Sequence, residues 1–113
     1  MHEISVMQSA LDIAVEHARR HGAQRIHCIG IKVGALSSVV PEALEFAFDV
    51  VVQGTMAEGA KLDIERVPAA CYCPACQVEF EPDGPFYECP RCTSLDVQVR
   101  RGRELELSQV EVS

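Results

Sequence analysis

The chain has 113 residues, 48% of them hydrophobic and 24% charged, a size that holds one compact domain, or a small domain with an embedded metal-bound segment, and excludes two ordinary domains. Ten Lys and Arg stand against 17 Asp and Glu for a formal net charge of -7, and no stretch is basic, so nucleic acid is disfavoured as a partner and a protein or a cation is favoured. No apolar run approaches the ~20 residues of a membrane span, and His2 and Glu3 stand where a signal peptide would carry basic residues, so the expectation is a cytoplasmic chain that does not engage a membrane.

From Glu3 to about His21, Ile4, Met7, Leu11, Ala14, Val15 and Ala18 recur at helical spacing, with Glu16 and Arg20 four apart, which predicts an amphipathic helix stopped by His21-Gly22. Arg25 to Val33 reads as a strand with Ile29, Ile31 and Val33 on one face. Ser37 and Ser38 offer capping hydroxyls and Pro41 suits a first helical turn, so a second helix is predicted to end near Gly54. Its inner stripe is Leu44, Ala47, Phe48 and Val51; Ala43, Phe46 and Val50 widen that stripe toward burial against a sheet or a partner. Leu62 and Ile64 alternate with Lys61, Asp63 and Glu65 in a second strand.

Composition changes at Pro68. From there to about Arg100 lie five of the six cysteines, five of the six prolines and four aromatics, with too few aliphatics for a core. After Gly102, Leu105 and Leu107 alternate with Glu104 and Glu106, and the phase then slips to Val110 and Val112, as a bulge near Ser108-Gln109 would produce. A lone terminal strand must pair, so the predicted fold is α+β: two helices on a small three-stranded mixed sheet. Residues 1–67 and 103–113 form that domain, and residues 68–102 form an inserted, zinc-ribbon-like segment.

Cys73-Pro-Ala-Cys76 and Cys89-Pro-Arg-Cys92 are two C-x-x-C pairs separated by twelve residues, with Asp83-Gly84-Pro85 as a turn midway. Each pair places two thiolates about one metal, and a hairpin between them would bring all four sulfurs together. Such clustering in a cytosolic chain favours metal over disulfides. Structural Zn(II) is the leading occupant, its binding free energy replacing the missing core, while a single redox-active iron also suits four thiolates. Cys71 reads as a spare or partly buried thiol, with an alternative role as a ligand that exchanges with Cys73, and Cys28 reads as a small buried side chain. His17, His21 and His27 read as structural or surface residues.

Met1-His2-Glu3 stands immediately before the helix pattern. The His2 imidazole can close a chelate ring with its own backbone nitrogen, which closes a second ring with the Met1 amine. Three nitrogens then converge in one plane, the tetragonal arrangement preferred by Ni(II) or Cu(II). Glu3 also suits the positive end of the helix as a first-turn acid. No Ser-His-Asp, paired-carboxylate or phosphate-loop pattern is present, and a closed four-cysteine site leaves no open coordination position, so an enzyme is not expected.

Met1-His2-Glu3, the stretch from Gly34 to Glu42 (GALSSVVPE), Gly54 to Ala60 (GTMAEGA), Ile64 to Pro68 (IERVP), the two C-x-x-C pairs and Gly102 to Leu105 (GREL) together resemble the hydrogenase maturation nickel metallochaperones of the HypA/HybF type. These pieces span nearly the whole chain in order. The resemblance implies a carrier of Ni(II) for the nickel-iron centre of hydrogenase, with nickel at Met1, His2 and Glu3 and zinc at Cys73, Cys76, Cys89 and Cys92. It further implies a nickel-handling GTPase and the hydrogenase large subunit as partners, and in some bacteria the urease maturation system. Members often carry glycine after each knuckle, where this chain has Gln77 and Thr93. The competing reading is a zinc-ribbon adaptor in transcription or translation, which would need a basic, aromatic ribbon face; residues 68–102 hold only Arg91, Arg100 and Arg101 against five acids. Exposed strand edges and the stripe around Phe46 permit a homodimer.

Overall fold

A computed structural model describes residues 2–83 and 86–113. The first helix, α1 (Glu3–Arg20), buries Met7, Leu11, Ala14 and Ala18 of the expected stripe and half-buries Val15, whereas Ile4, in the first turn, is exposed. Gly22, at φ 68°, ends it: the Ala23 N–H donates to the Ala18 carbonyl at 2.9 Å and the Gly22 N–H to the Arg19 carbonyl at 3.1 Å. This pair of bonds is a Schellman motif, which satisfies carbonyls that the helix itself leaves open.

Strand β1 (Ile26–Gly34), helix α2 (Pro41–Val51) and strand β2 (Lys61–Val67) form a βαβ unit, since β1 and β2 are parallel neighbours and need a long crossover. Three short strands follow, β3 (Ala70–Cys73), β4 (Val78–Phe80) and β5 (Gln98–Arg101), and then β6 (Leu105–Val112). The last strand returns antiparallel to β1, giving a mixed sheet of order β2-β1-β6. Ile29 and Ile31 of β1 lie beside Leu62 and Ile64 of β2, so the apolar alternation of both strands meets on one face. The register with β6 shifts between Gly30, opposite Gln109, and Ile31, opposite Leu107. Ser108 is thus the extra residue, which places the bulge where the phase of the sequence slips.

Two expectations about α2 need correction. The N-cap is Val40, and no side chain caps this helix; Ser37 Oγ accepts only from the Val39 N–H, at 3.4 Å. A residue preceding proline is driven to extended backbone, so Pro41 makes Val40 the entry residue and strands both serines upstream. Phe46 is 70% exposed and Val50 is exposed too. The helix meets α1 and β2 through Leu44, Ala47 and Phe48, and Phe46 points away on the opposite side of the cylinder.

The second sheet has the order β4-β3-β5, antiparallel throughout. The radius of gyration, 17.5 Å, exceeds the roughly 13 Å of a compact chain of this length, and the extents of 54 × 25 × 16 Å show why: the two sheets lie along one long axis. The chain leaves and re-enters the first sheet at a tight crossing. A Cβ on Gly34 would sit 2.0 Å from the Gly102 carbonyl oxygen, and Gly102 itself takes φ 117° with its Cα face against Ala69. The Leu36 N–H donates to that Gly102 carbonyl at 2.6 Å and the Ala35 N–H to the Val67 carbonyl at 2.9 Å, so backbone bonds hold the crossing.

Candidate metal centre

Cys73 closes β3, Cys76 lies in the turn to β4, and Cys89 and Cys92 lie in the turn before β5. The two turns repeat one hydrogen bond: the Gln77 N–H donates to the Cys73 carbonyl at 2.8 Å and the Thr93 N–H to the Cys89 carbonyl at 2.9 Å. Pro74 and Pro90 follow the first cysteine of each pair, where no amide donor is required and a φ near -65° starts the turn. Gln77 and Thr93 take φ 55° and 61°, the left-handed region that glycine enters without penalty. A β-branched threonine pays most there.

The ligand atoms of Cys73, Cys76, Cys89 and Cys92 all lie within 4.8 Å of one another, with Cys73 Sγ 3.6 Å from Cys92 Sγ and Cys89 Sγ 4.0 Å from Cys76 Sγ. These separations are far longer than the ~2.05 Å of a disulfide. They match the ~3.8 Å edge of a tetrahedron with Zn–S of 2.3 Å, so the donor set fits zinc. The Asp83-Gly84-Pro85 turn proposed between the pairs falls partly outside the described residues, since Gly84 and Pro85 do.

Hydrogen bonds and burial shift the thiols in opposite directions. Backbone amides of Cys92 and Arg91 point at Cys89 and bring it down to about 7, outweighing burial. Cys76 is pushed up to about 12, first by its hydrogen bond with Cys92 and then by burial. At Cys73 the Cys76 amide pulls down most, yet burial and the Cys92 and Cys89 sulfurs together raise it. Four sulfurs this close cannot all ionise without a cation to gather them.

Cys71, expected to be partly buried, is fully buried on β3 opposite Phe80 and Val99, and is not part of the four-sulfur group; burial pushes its thiol up. Cys28 departs from expectation the other way. It is half-buried, because it alternates to the sheet face opposite Ile29 and Ile31, between Lys61 and Glu111 of the neighbouring strands. Two contacts that no sequence signal marked fasten the second sheet: the Arg100 guanidinium lies 4.4 Å over the Tyr72 ring, and Arg101 pairs with Glu79.

At the other end of the sequence, Met1 lies outside the described residues. His2 is the exposed N-cap of α1, in extended backbone, its carbonyl accepting from the Val6 N–H at 3.1 Å while its imidazole makes no capping bond. Glu3 is half-exposed in the first turn. His17, His21 and His27 are all exposed. Among the described residues no helix is long and apolar enough to cross a membrane.

The sequence model of a family described as "HypA: Hydrogenase/urease nickel incorporation, metallochaperone, hypA" matches residues 1–112. A hydrogenase maturation factor HypA from Picosynechococcus is 47% identical over 112 residues, covering 99% of each chain, and one from Acidithiobacillus ferrooxidans is 45% identical with the same coverage. The solution structure of the Ni metallochaperone HypA from Helicobacter pylori is 27% identical with a TM-score of 0.68, covering 99% of this chain and 97% of that one. Another HypA solution structure superposes with a TM-score of 0.74 at 27% identity, covering 100% and 97%. With the family model spanning residues 1–112 and relatives at 45–47% identity over nearly the whole of both chains, the chain belongs to the HypA family of hydrogenase and urease nickel-incorporation metallochaperones.

Proposed function

We propose that this chain binds Ni(II) at Met1, His2 and Glu3 and hands it to the assembling nickel-iron centre of hydrogenase, while Cys73, Cys76, Cys89 and Cys92 hold a structural Zn(II). One observation supports the nickel site above others. The helix ladder of α1 begins with the Val6 N–H, so the amides of His2 and Glu3 are not needed by it, and the His2 imidazole is not spent on capping. A Met1 amine, a His2 amide nitrogen and a His2 imidazole can therefore gather about one ion without breaking a helical bond. The positive end of a helix repels a bare cation, but a deprotonated amide ligand carries compensating negative charge. Glu3 adds a carboxylate beside it.

Function follows from the contrast between the two sites. Four thiolates close around zinc and leave no position for a partner. A planar chelate on a chain end stays open on two sides, so a receiving protein can add a ligand before the carrier loses one. An affinity near micromolar, about -8 kcal/mol, serves such transfer. The chain works as a metallochaperone and not as an enzyme, in keeping with its family. We further propose that residues 1–67 with 103–113 carry the nickel site and residues 68–102 form the zinc-dependent unit. A nickel-handling GTPase and the hydrogenase large subunit are the proposed cytoplasmic partners, with urease maturation as a second destination. The edge strands β2 and β6 permit pairing of two copies.

The deciding experiment titrates zinc-loaded, untagged protein with Ni(II) and follows the square-planar absorption. The expected result is that His2→Ala, or an added N-terminal extension that buries the amine in a peptide bond, abolishes that band while zinc stays bound. Persistence of the band in both variants would refute the N-terminal site.

A further inference from the structure

At the end of α1 remote from His2, His17 and His21 stand one turn apart on an exposed face, their ring centroids 4.4 Å apart and their planes tilted by 52°. The backbone beneath them is fixed. His21 is the C-cap residue, and its N–H is shared between the His17 carbonyl at 3.3 Å and the Ala18 carbonyl at 3.2 Å. Gly22 and Ala23 then close the Schellman motif immediately after it. Two imidazoles are thus presented by a turn that does not fray freely.

The surroundings also suit a cation. Of the two arginines in the last turn, Arg20 is engaged by Glu16 at 3.1 Å and Arg19, two residues from each histidine, falls on the other side of the helix, while the carbonyl end carries partial negative charge. Imidazole nitrogen is a ligand for the borderline divalent ions Ni(II), Cu(II) and Zn(II).

We propose that His17 and His21 form a two-imidazole chelate for a borderline divalent cation such as Ni(II), with water completing the coordination. This site is independent of the nickel reading above. Eighteen helical residues span about 27 Å, so no single ion can bridge His2 and the pair. Two neutral nitrogens, without thiolate or deprotonated amide, bind more weakly than the N-terminal chelate and without its square-planar absorption. A chain whose N-terminal chelate is removed therefore still takes up Ni(II) at this second point.

The test uses the full-length, zinc-loaded His2→Ala protein titrated with nickel chloride and read by imidazole nitrogen NMR. The His17 and His21 signals should broaden together and saturably. The signals of His27, whose ring meets Ser113 Oγ, should stay sharp. His17→Gln or His21→Gln should weaken nickel binding at the remaining histidine at least about tenfold. Adding Ile13→His to the His21→Gln protein should restore it, since Ile13 is exposed and lies four residues before His17. If each histidine responds to nickel equally well without the other, or if neither saturates by about 1 mM, the ring contact is stacking alone and the proposal fails. The square-planar band of the parent protein is measured separately, so loss of one site is not mistaken for loss of the other.

Discussion

The helix–sheet region and the cysteine segment solve the problem of folding by opposite means. The first buries Met7, Leu11, Ile26, Ile29, Ile31, Leu44 and Phe48 in one continuous core. Among the described residues of 68–102 the buried apolar side chains are only Ala69, Ala70, Cys71, Cys73 and Cys89. Each large aliphatic contributes about 1.5–3 kcal/mol on burial, so the first region gains its stability in many small parts. A structural zinc contributes about 10–16 kcal/mol in small domains, so under the proposed function the second would gain it at one point. Damage should therefore be graded in one region and all-or-none in the other.

The sharpest way to break the comparison is to remove the zinc. Cys89→Ser, or a strong chelator, should collapse the amide NMR signals of residues 70–101 while leaving those of α1, α2 and β1 in place; uniform loss over the whole chain would show that the two regions fold as one. The pH dependence follows from the same thiols. Cys73 and Cys76 are raised above the ordinary thiol value, hence protonated near neutrality in the metal-free chain, and both are thiolates around zinc. Loading must release at least these two protons, so zinc affinity should rise by at least about a hundredfold per unit between pH 7 and 8, measured by competition with a chelator of known affinity. A smaller, graded effect is expected from Leu44→Ala, which should cost about 2–5 kcal/mol in denaturant unfolding with zinc stoichiometry unchanged. Smallest is Thr93→Gly. Relief of the left-handed threonine should stabilise the zinc-bound knuckle by about 0.5–1 kcal/mol, seen as a few-fold tighter hold on zinc.

Much of the first region was legible because its apolar residues repeat at the periods of its elements. The Met7-Leu11-Ala14-Ala18 spacing marked α1, and the slip from Leu107 to Val110 marked the bulge at Ser108. Errors arose where a neighbour decides the outcome. Phe46 belongs to an apolar run, yet only the position of α1 and β2 around α2 determines that it stays exposed. Cys28 and Cys71 are each a cysteine on a strand, and their different burial depends on what packs across the sheet, which no local pattern records. The strands β3, β4 and β5 had no clear signature, because three or four residues broken by cysteine and proline are too short to show a period.

What the sequence determined by itself was the set of donors: two C-x-x-C pairs, a histidine at position two, and few aliphatics between residues 68 and 102. Residue type and short spacing suffice for that, because a chelate ring or a knuckle closes within a few bonds. Only the tertiary structure decided how far apart the sulfurs sit, how deeply Cys28 and Cys71 are buried, and that His17 and His21 lie against each other on a locked helix end. Those outcomes depend on distances across the chain, set by the Gly34–Gly102 crossing, by strand pairing and by the turn at Gly22.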